Sequence, residues 1–187
     1  SRARSNTKTG PAPIRAKMHP WGFPWQEGNS KKKVDIANNL IRRSISIILT
    51  GLESEARSHF FLEHPEDLGY SIKVQAASIW QLQELQVALG EIFGTTAVFQ
   101  CQHCSEIELL TRDFPKPTRL VSNCKQVLAM GIEKPPELSK WGKYMGPLGR
   151  CGHDHKQSLV RQRDDTPFRS GSSSRYPAQM DRELAQA

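Results

Sequence analysis

The chain has 187 residues, of which 37% are hydrophobic, so it is long enough for one domain with a modest core and tails. No apolar run approaches the ~18 residues that a membrane-spanning helix needs, and the N-terminal end lacks the apolar segment of a signal peptide. These features exclude membrane-embedded and secreted classes, and we expect an intracellular protein, nuclear or cytoplasmic, with no membrane partner. A chain that begins with Ser1 is also consistent with part of a longer reading frame.

The positive charge is concentrated at the N-terminal end. The whole formal net charge of +7 lies within residues 1–33, which hold eight basic residues against Glu27, while acidic and basic residues cancel in the remainder. A basic segment beside a neutral body predicts contact with the phosphates of a nucleic acid, DNA above all, and Lys31, Lys32 and Lys33 are candidate contacts. A solvated tail explains the same distribution equally well.

Composition predicts three regions: a basic Pro/Gly-rich arm over 1–30, a folded body over 31–156 and a disordered tail over 157–187 that ends in a small helix. The arm contains Trp21, Phe23 and Trp25. We expect these aromatic residues to lie against the body, although aromatic rings among basic residues can also stack on nucleic-acid bases.

Hydrophobic periodicity predicts alternating helices and strands in the body. The predicted elements are a helix over 31–52, a strand over 58–63, a helix over 78–89, strands over 94–101 and 118–123, and a short helix from Cys124 to Gly131. This order predicts an α/β fold with an incomplete sheet of about three strands and flanking helices. The predicted core residues are Val34, Ile41, Ile45, Ile48, Phe60, Leu62, Ile79, Leu82, Leu85, Val98, Leu120 and Val121.

The stretch "FFLEHPEDLG" places Glu63 and His64 directly after an apolar run. Active sites of open α/β sheets collect at the carboxyl ends of strands, where partial burial helps a carboxylate to act as an acid. We therefore expect Glu63 at the carboxyl end of an interior strand. The alternative is a strand that leaves the sheet for solvent at Pro65.

Four cysteines without a secretion signal indicate thiols or metal ligands rather than disulfides. Cys101 and Cys104 form a Cys-x-x-Cys pair. After 46 intervening residues the stretch "CGHDH" supplies Cys151, His153 and His155. Two thiolates with a Cys/His pair would satisfy the tetrahedral coordination of zinc. The alternative is a buried cysteine at a strand end and a pair of surface histidines.

Several motifs occur in a familiar order. They are "HPWGFPWQEGNSKKKVDIANNLIRRSISII", "FFLEHPEDLG", "SIWQL", "VFQC", "KPTRLVSN" and "CGHDH". Over roughly residues 19–156 this order resembles the distal half of a cytosine-C5 DNA methyltransferase-like domain, of the kind found in mobile-element and algal or dinoflagellate reading frames. The resemblance implies an incomplete Rossmann-like sheet of the class I S-adenosylmethionine-dependent methyltransferases.

The resemblance also implies roles for individual residues. Glu63 matches the glutamate that protonates a flipped cytosine, and His64 stands where the family has Asn. Lys116 and Arg119 fall in an arginine-rich motif that braces the glutamate and contacts DNA, so the strand with Arg119 should lie beside that of Glu63.

The glycine-rich cofactor loop and the Pro-Cys nucleophile are absent from the sequence. The resemblance therefore implies a catalytically incomplete C-terminal part with residual nucleic-acid binding. S-adenosylmethionine would be bound only by an intact parent and not by this chain. Two alternatives stay open: a small zinc-stapled nucleic-acid-binding module, and a non-functional translated remnant of a mobile element.

Overall fold

The computed structural model describes residues 13–53, 58–71, 74–75, 77–90, 93–111, 115–153 and 176–187. Unit 1 of the chain comprises Ser1–Phe60, Asp67–Phe93 and Pro136–Met145, and unit 2 comprises Phe61–Glu66, Gly94–Pro135 and Gly146–Ala187. The described helices are α1 (Gly28–Glu53), α2 (Gln83–Leu89), α3 (Glu106–Thr111), α4 (Lys125–Leu128) and α5 (Ala178–Gln186). The described strands are β1 (Phe61–Pro65), β2 (Tyr70–Ser71), β3 (Val74–Gln75), β4 (Gly94–Phe99), β5 (Pro117–Ser122), β6 (Glu137–Leu138) and β7 (Tyr144–Gly146).

Unit 1 is organised around α1, whose predicted apolar stripe is confirmed by the burial of Val34 and Ile48. The segment before the helix, residues 13–27, is held against it by buried polar side chains. Arg15 is 5% exposed and donates to the carbonyl oxygens of Val34 and Pro20, each at 3.1 Å. Asn38 Nδ2 donates to the carbonyl oxygen of Trp21 at 2.8 Å. The described part of the predicted arm is therefore packed on α1.

A close contact at Gly22 strengthens this attachment. Its φ of +112° is a conformation that favours glycine, and an added Cβ would lie 2.5 Å from Cγ1 of Val34. Trp21 lies over α1, with the Arg42 guanidinium 4.8 Å from its ring centroid and with its indole nitrogen donating to Glu84 of α2 at 3.1 Å. The expectation that the aromatic residues of the arm lie against the body is confirmed for Trp21, whereas Trp25 is 68% exposed.

Unit 2 contains a three-stranded sheet in the order β1-β5-β4, and both pairings are antiparallel. The expected α/β class with about three strands is confirmed in this coarse form. A doubly wound sheet is mostly parallel, so the antiparallel pairing does not establish Rossmann-like character. The central strand β5 is buried along its whole length, including its polar residues Thr118, Arg119 and Ser122.

One face of the sheet packs against α4 and α5. Val98 and Leu120 form an apolar cluster with Cys124, Val127 and Met180, and Met180 of α5 is fully buried. The predicted small C-terminal helix is thus confirmed and contributes to the core, although most of the tail predicted over 157–187 lies outside the described residues. The helix is amphipathic, and its apolar side completes the core of unit 2.

The predicted strand over 58–63 begins and ends later than expected. β1 runs from Phe61 to Pro65, so that Glu63 occupies its middle rather than its carboxyl end. β1 is also an edge strand of the described sheet and not an interior one. A proline is tolerated on an edge strand, and the pairing continues past Pro65 because the Glu66 N–H donates to the carbonyl oxygen of Pro117 at 3.1 Å.

Most of the predicted core is confirmed. The buried members are Val34, Ile48, Leu82, Leu85, Val98, Leu120 and Val121, and the half-buried members are Ile41, Ile45, Phe60, Leu62 and Ile79. The half-buried residues lie on α1, on or beside the edge strand β1, and at the start of the second predicted helix. That helix is divided into a 3₁₀ turn over Ile79–Gln81, capped by Ser78 as predicted, and α2.

The opposite face of the sheet is held together by the side chain of Arg119, which is 1% exposed. Nη2 donates to Oε1 of Glu66 at 2.9 Å, and Nε lies 2.7 Å from the other carboxylate oxygen. Nη1 donates to Oγ1 of Thr95 at 2.7 Å and to the carbonyl oxygen of Lys134 at 2.8 Å. One guanidinium on β5 therefore contacts the residue after β1, a residue of β4 and the loop after α4.

We predict that Arg119→Met lowers the free energy of unfolding by about 3–5 kcal/mol, because it leaves the Glu66 carboxylate buried without its counter-charge. Denaturant unfolding followed by circular dichroism measures the change. The double substitution Arg119→Met with Glu66→Met should recover most of the loss, and Arg43→Met at an exposed position of α1 should change stability by less than about 0.5 kcal/mol. Equal effects of Arg119→Met and Arg43→Met would contradict the assignment.

Candidate metal centre

The first half of the candidate metal centre is a tight turn that directly follows β4. Residues Gln100–His103 form a 3₁₀ turn, and the Cys104 N–H donates to the carbonyl oxygen of Cys101 at 3.3 Å. Cys101 is fully buried, and Cys104 is half-buried. The Cys-x-x-Cys spacing therefore brings two thiols onto one turn, as expected for half of a zinc site.

The second half comes from the segment after β7. The sulfur of Cys151, a ring nitrogen of His153 and the sulfur of Cys101 all lie within 4.8 Å of one another. All three residues belong to unit 2. The chain between the two halves thus folds back, and residues far apart in sequence meet as three potential metal ligands.

The thiols of this cluster influence one another. The pKa of Cys101 is raised to about 12, chiefly by burial, with smaller contributions from the charge of Cys151, a hydrogen bond to Cys151 and the charge of Cys104. Thiolates that lie close together repel, whereas a bound cation removes this repulsion and favours the deprotonated form. The environment of Cys101 is therefore unfavourable to a lone thiolate and suited to a shared cation.

The donor set fits a divalent metal ion. In a tetrahedral zinc site, ligand atoms lie about 3.5–3.8 Å apart, so the 4.8 Å cluster would need to contract only slightly. The sulfur of Cys104 is not among the three atoms that lie within 4.8 Å of one another, but Cys104 contributes to the raised pKa of Cys101 and can supply a fourth ligand. Sulfur with imidazole is the combination that zinc prefers, whereas Mg²⁺ and Ca²⁺ favour oxygen. The cluster can therefore bind a metal ion.

The other histidines of the region are placed differently. His103, which lies between the two cysteines of the turn, has its Nδ1 2.9 Å from a carboxylate oxygen of Glu183 on α5. This contact ties the turn to α5 and directs the imidazole to Glu183. His155, a predicted ligand, lies outside the described residues. Among the described residues, His153 is thus the histidine that joins the cysteine cluster.

The predicted pair of Glu63 and Arg119 is placed on neighbouring strands, as expected. Antiparallel register sets Glu63 opposite Leu120, and His64 opposite Arg119. Because directly opposed side chains share a face, Glu63 and Arg119 lie on opposite faces of the sheet. The carboxylate that Arg119 braces is Glu66, a residue that the sequence analysis did not single out.

Glu63 has a different partner, Tyr176, on the face that bears the apolar cluster. Burial, followed by the charge of Glu63 and a hydrogen bond to it, raises the pKa of Tyr176 well above its ordinary value. Oε1 of Glu63 is buried and has no hydrogen-bond partner among the described residues. On the other face, burial lowers the pKa of His64 to about 4, so that its imidazole is neutral at pH 7.

The predicted nucleic-acid contacts differ in their accessibility. Lys31, Lys32 and Lys33 are exposed in the first turns of α1, and Lys31 lies 3.5 Å from Asp35. Lys116 is half-buried, with its ammonium 5.5 Å from the ring centroid of Tyr176. Arg119 is buried and its guanidinium is bound within unit 2, so it is not accessible to a phosphate. DNA contact by Arg119 stays a prediction, and it would require the guanidinium to leave these partners.

No protein-family model, curated protein or solved structure matches this chain. The methyltransferase resemblance therefore has no support from these comparisons. In the part of the chain that the structure describes, no helix combines the length and the apolar character needed to cross a membrane.

Proposed function

We propose that this chain is a small metal-stapled nucleic-acid-binding module in which Cys101, Cys104, Cys151 and His153 hold one zinc ion. The observation that carries the proposal is the convergence of three donor atoms to within 4.8 Å from two segments of unit 2. If Cys151 and His153 were only a chance pair, there would be no reason to expect the fully buried thiol of Cys101 beside them. The donor types match those of structural zinc sites.

The role of the metal would be structural. With four protein ligands no coordination position is left for water or substrate, which is the arrangement of a structural rather than a catalytic zinc site. Cys101 lies two residues after β4 and Cys151 follows β7, so the ion would connect the end of a sheet strand to an otherwise irregular segment. Such sites contribute their binding free energy to folding.

The nucleic-acid part of the proposal is supported by charge. The excess positive charge of the chain lies within residues 1–33, and the described lysines of this stretch at the start of α1 are exposed. Phosphate contacts by lysine and arginine supply most of the affinity in sequence-independent binding. The proposed contact residues are Lys31, Lys32 and Lys33, with Lys116 as a further candidate.

We predict that the purified chain binds one zinc ion, measured by elemental analysis, and that a chelator lowers its melting temperature because the staple is lost. Cys101→Ser and Cys151→Ser should each reduce the zinc content severely, since each removes a ligand. The zinc content of Cys104→Ser decides whether Cys104 is the fourth ligand.

The fourth cysteine of the chain provides a matched control. Cys124 is buried in the apolar cluster with Val98 and Leu120, so Cys124→Ala should retain the full zinc content. Zinc content that is unchanged in both Cys101→Ser and Cys151→Ser would refute the metal centre, as would a chain that folds identically and binds no zinc when the metal is supplied.

We predict that Lys31→Gln, Lys32→Gln and Lys33→Gln together weaken binding to a DNA duplex and reduce its salt dependence. Each lost phosphate contact lowers the slope of log K against log salt by about 0.9, so the triple variant should lose about 2–3 in slope. Fluorescence anisotropy over a series of salt concentrations measures both quantities.

The matched control removes three other exposed lysines of unit 1 and unit 2, Lys134, Lys140 and Lys143, and thus changes the net charge equally. This variant should retain most of the slope of the parent chain. Equal losses in the two triple variants would indicate only a general charge effect, and an absence of salt-dependent binding in the parent would remove the nucleic-acid part of the proposal.

A methyltransferase-like part with incomplete catalytic machinery is a second candidate, including a Rossmann-like origin of the sheet. It is supported by the direct pairing of the strand of Glu63 with the strand of Arg119, and by the buried Oε1 of Glu63. Under this candidate the Glu63 carboxyl contacts a cytosine that has left the duplex. S-adenosylmethionine is not expected to bind, because its glycine-rich loop is absent from the chain.

The second candidate predicts that the chain binds a duplex with a mismatched cytosine more tightly than the matched duplex, because less energy is needed to unpair that base. Glu63→Ala should abolish the preference by removing the carboxyl, whereas Glu137→Ala at an exposed position should keep it. Competition binding with the two duplexes measures the ratio. Equal affinity in the parent chain would eliminate this candidate and leave the metal-stapled module unaffected.

A further inference from the structure

Three rings in the segment before α1 form an ordered aromatic cluster, made of His19, Phe23 and Trp25. Phe23 and Trp25 are stacked, with centroids 4.9 Å apart and an interplanar angle of 15°. His19 meets both rings edge-on, at 5.6 Å from Phe23 and 5.4 Å from Trp25. Trp25 is nevertheless 68% exposed, so most of a large ring faces solvent while its neighbour holds it in place.

The backbone that carries these rings is held in place at several points. His19 and Ala16 exchange two backbone hydrogen bonds, and the Gln26 N–H donates to the carbonyl oxygen of Phe23 at 3.2 Å. The side-chain amide of Gln26 donates to the carbonyl oxygen of Ile14 at 2.8 Å. Together with the buried contacts of Arg15 and Asn38 described above, these bonds order the segment before any ligand arrives. A ring on such a segment loses little conformational entropy on binding.

The surroundings of the cluster are basic. Lys31, Lys32 and Lys33 follow Trp25 by six to eight residues, and Lys17 in the same segment is exposed. The part of α1 from Gly28 to Lys33 rises about 7–8 Å along its axis, which is a distance comparable to one or two nucleotides of an extended strand. The only described acidic residues in this stretch are Glu27 and Asp35, and Asp35 is paired with Lys31.

We propose that Trp25 is a stacking platform for an unpaired base, so that this chain binds single-stranded nucleic acid more tightly than duplex. The inference rests on the proposed nucleic-acid binding and specifies its substrate class. An exposed, preordered indole can stack on any base, and adjacent lysines hold the phosphates that flank it. The bases of a duplex are already stacked on each other and do not offer a free face to such a ring.

The test uses the full chain, loaded with zinc if it binds the metal. It compares the affinity for oligothymidylate of about 12 nucleotides with the affinity for a duplex of equal phosphate number. The parent chain should bind the single strand more tightly, and binding should quench tryptophan fluorescence. Trp25→Ala should weaken the single-strand complex about 5- to 150-fold, equivalent to the 1–3 kcal/mol of one base–aromatic stack. Its affinity for the duplex should be unchanged.

Trp141 provides a matched control, because it is 73% exposed and also has a neighbouring lysine, Lys140, at 4.3 Å from its ring centroid. Trp141→Ala should change the single-strand affinity less than about twofold. Trp25→Phe, which retains an aromatic face, should restore much of the affinity lost in Trp25→Ala. The salt slope of Trp25→Ala should equal that of the parent, since stacking releases no counterions.

The outcomes separate this inference from the function on which it rests. If the parent binds nucleic acid but Trp25→Ala weakens single strand and duplex equally, or weakens neither, the stacking platform is refuted and the binding function stands. If the parent binds neither probe, both are refuted. A parallel measurement with oligouridylate tests whether the sugar matters, and stacking predicts similar affinity for RNA and DNA. Tighter binding of the duplex than of both single strands would overturn the assignment.

Discussion

The buried ion pair between Arg119 and Glu66 is the constraint on which the sheet of unit 2 depends. A guanidinium that is 1% exposed is tolerated only when its donors are paired. Its partners fix the end of β1, a residue of β4 and the loop after α4 relative to the central strand. A slip of β1 by one residue would carry Glu66 to the other face. The pair therefore specifies register, even if its net contribution to stability is small.

Much of the fold could be predicted from local sequence patterns, whereas the pairing of residues far apart in sequence could not. The periodic apolar stripe of α1 predicts a helix, and the β-branched run of β4 predicts a strand. Whether Glu63 or Glu66 contacts Arg119 depends on the register between β1 and β5. No local sequence pattern predicts this register. The pleat has a period of two, so Glu66 shares a face with His64, and hence with Arg119, while Glu63 does not. Tyr176 was missed because the core contact of the C-terminal segment is equally non-local.

The candidate metal centre complements this sheet at a place where the apolar core ends. β4 contributes Val98 to the apolar cluster and is followed at once by the turn of Cys101 and Cys104. The segment that brings Cys151 and His153 has little regular structure of its own in the described chain. The Cys101, Cys151 and His153 cluster could bind a metal ion, which would supply there a cross-link that backbone pairing does not provide. The two sequence motifs named the candidate ligands of both halves, and the fold shows that Cys101, Cys151 and His153 are the ones that meet.

The N-terminal part of the described chain illustrates how a polar, Pro- and Gly-rich segment can still be ordered. Residues 13–27 have no long hydrophobic run, yet two buried polar side chains, Arg15 and Asn38, tie them to α1. Hydrogen bonds to backbone carbonyls thus replace a hydrophobic face as the means of attachment. This arrangement leaves the large ring of Trp25 free of any core role, because the segment is held by its polar contacts. An exposed aromatic residue on an ordered basic segment is better explained by recognition than by stability, since its removal opens no cavity in the core.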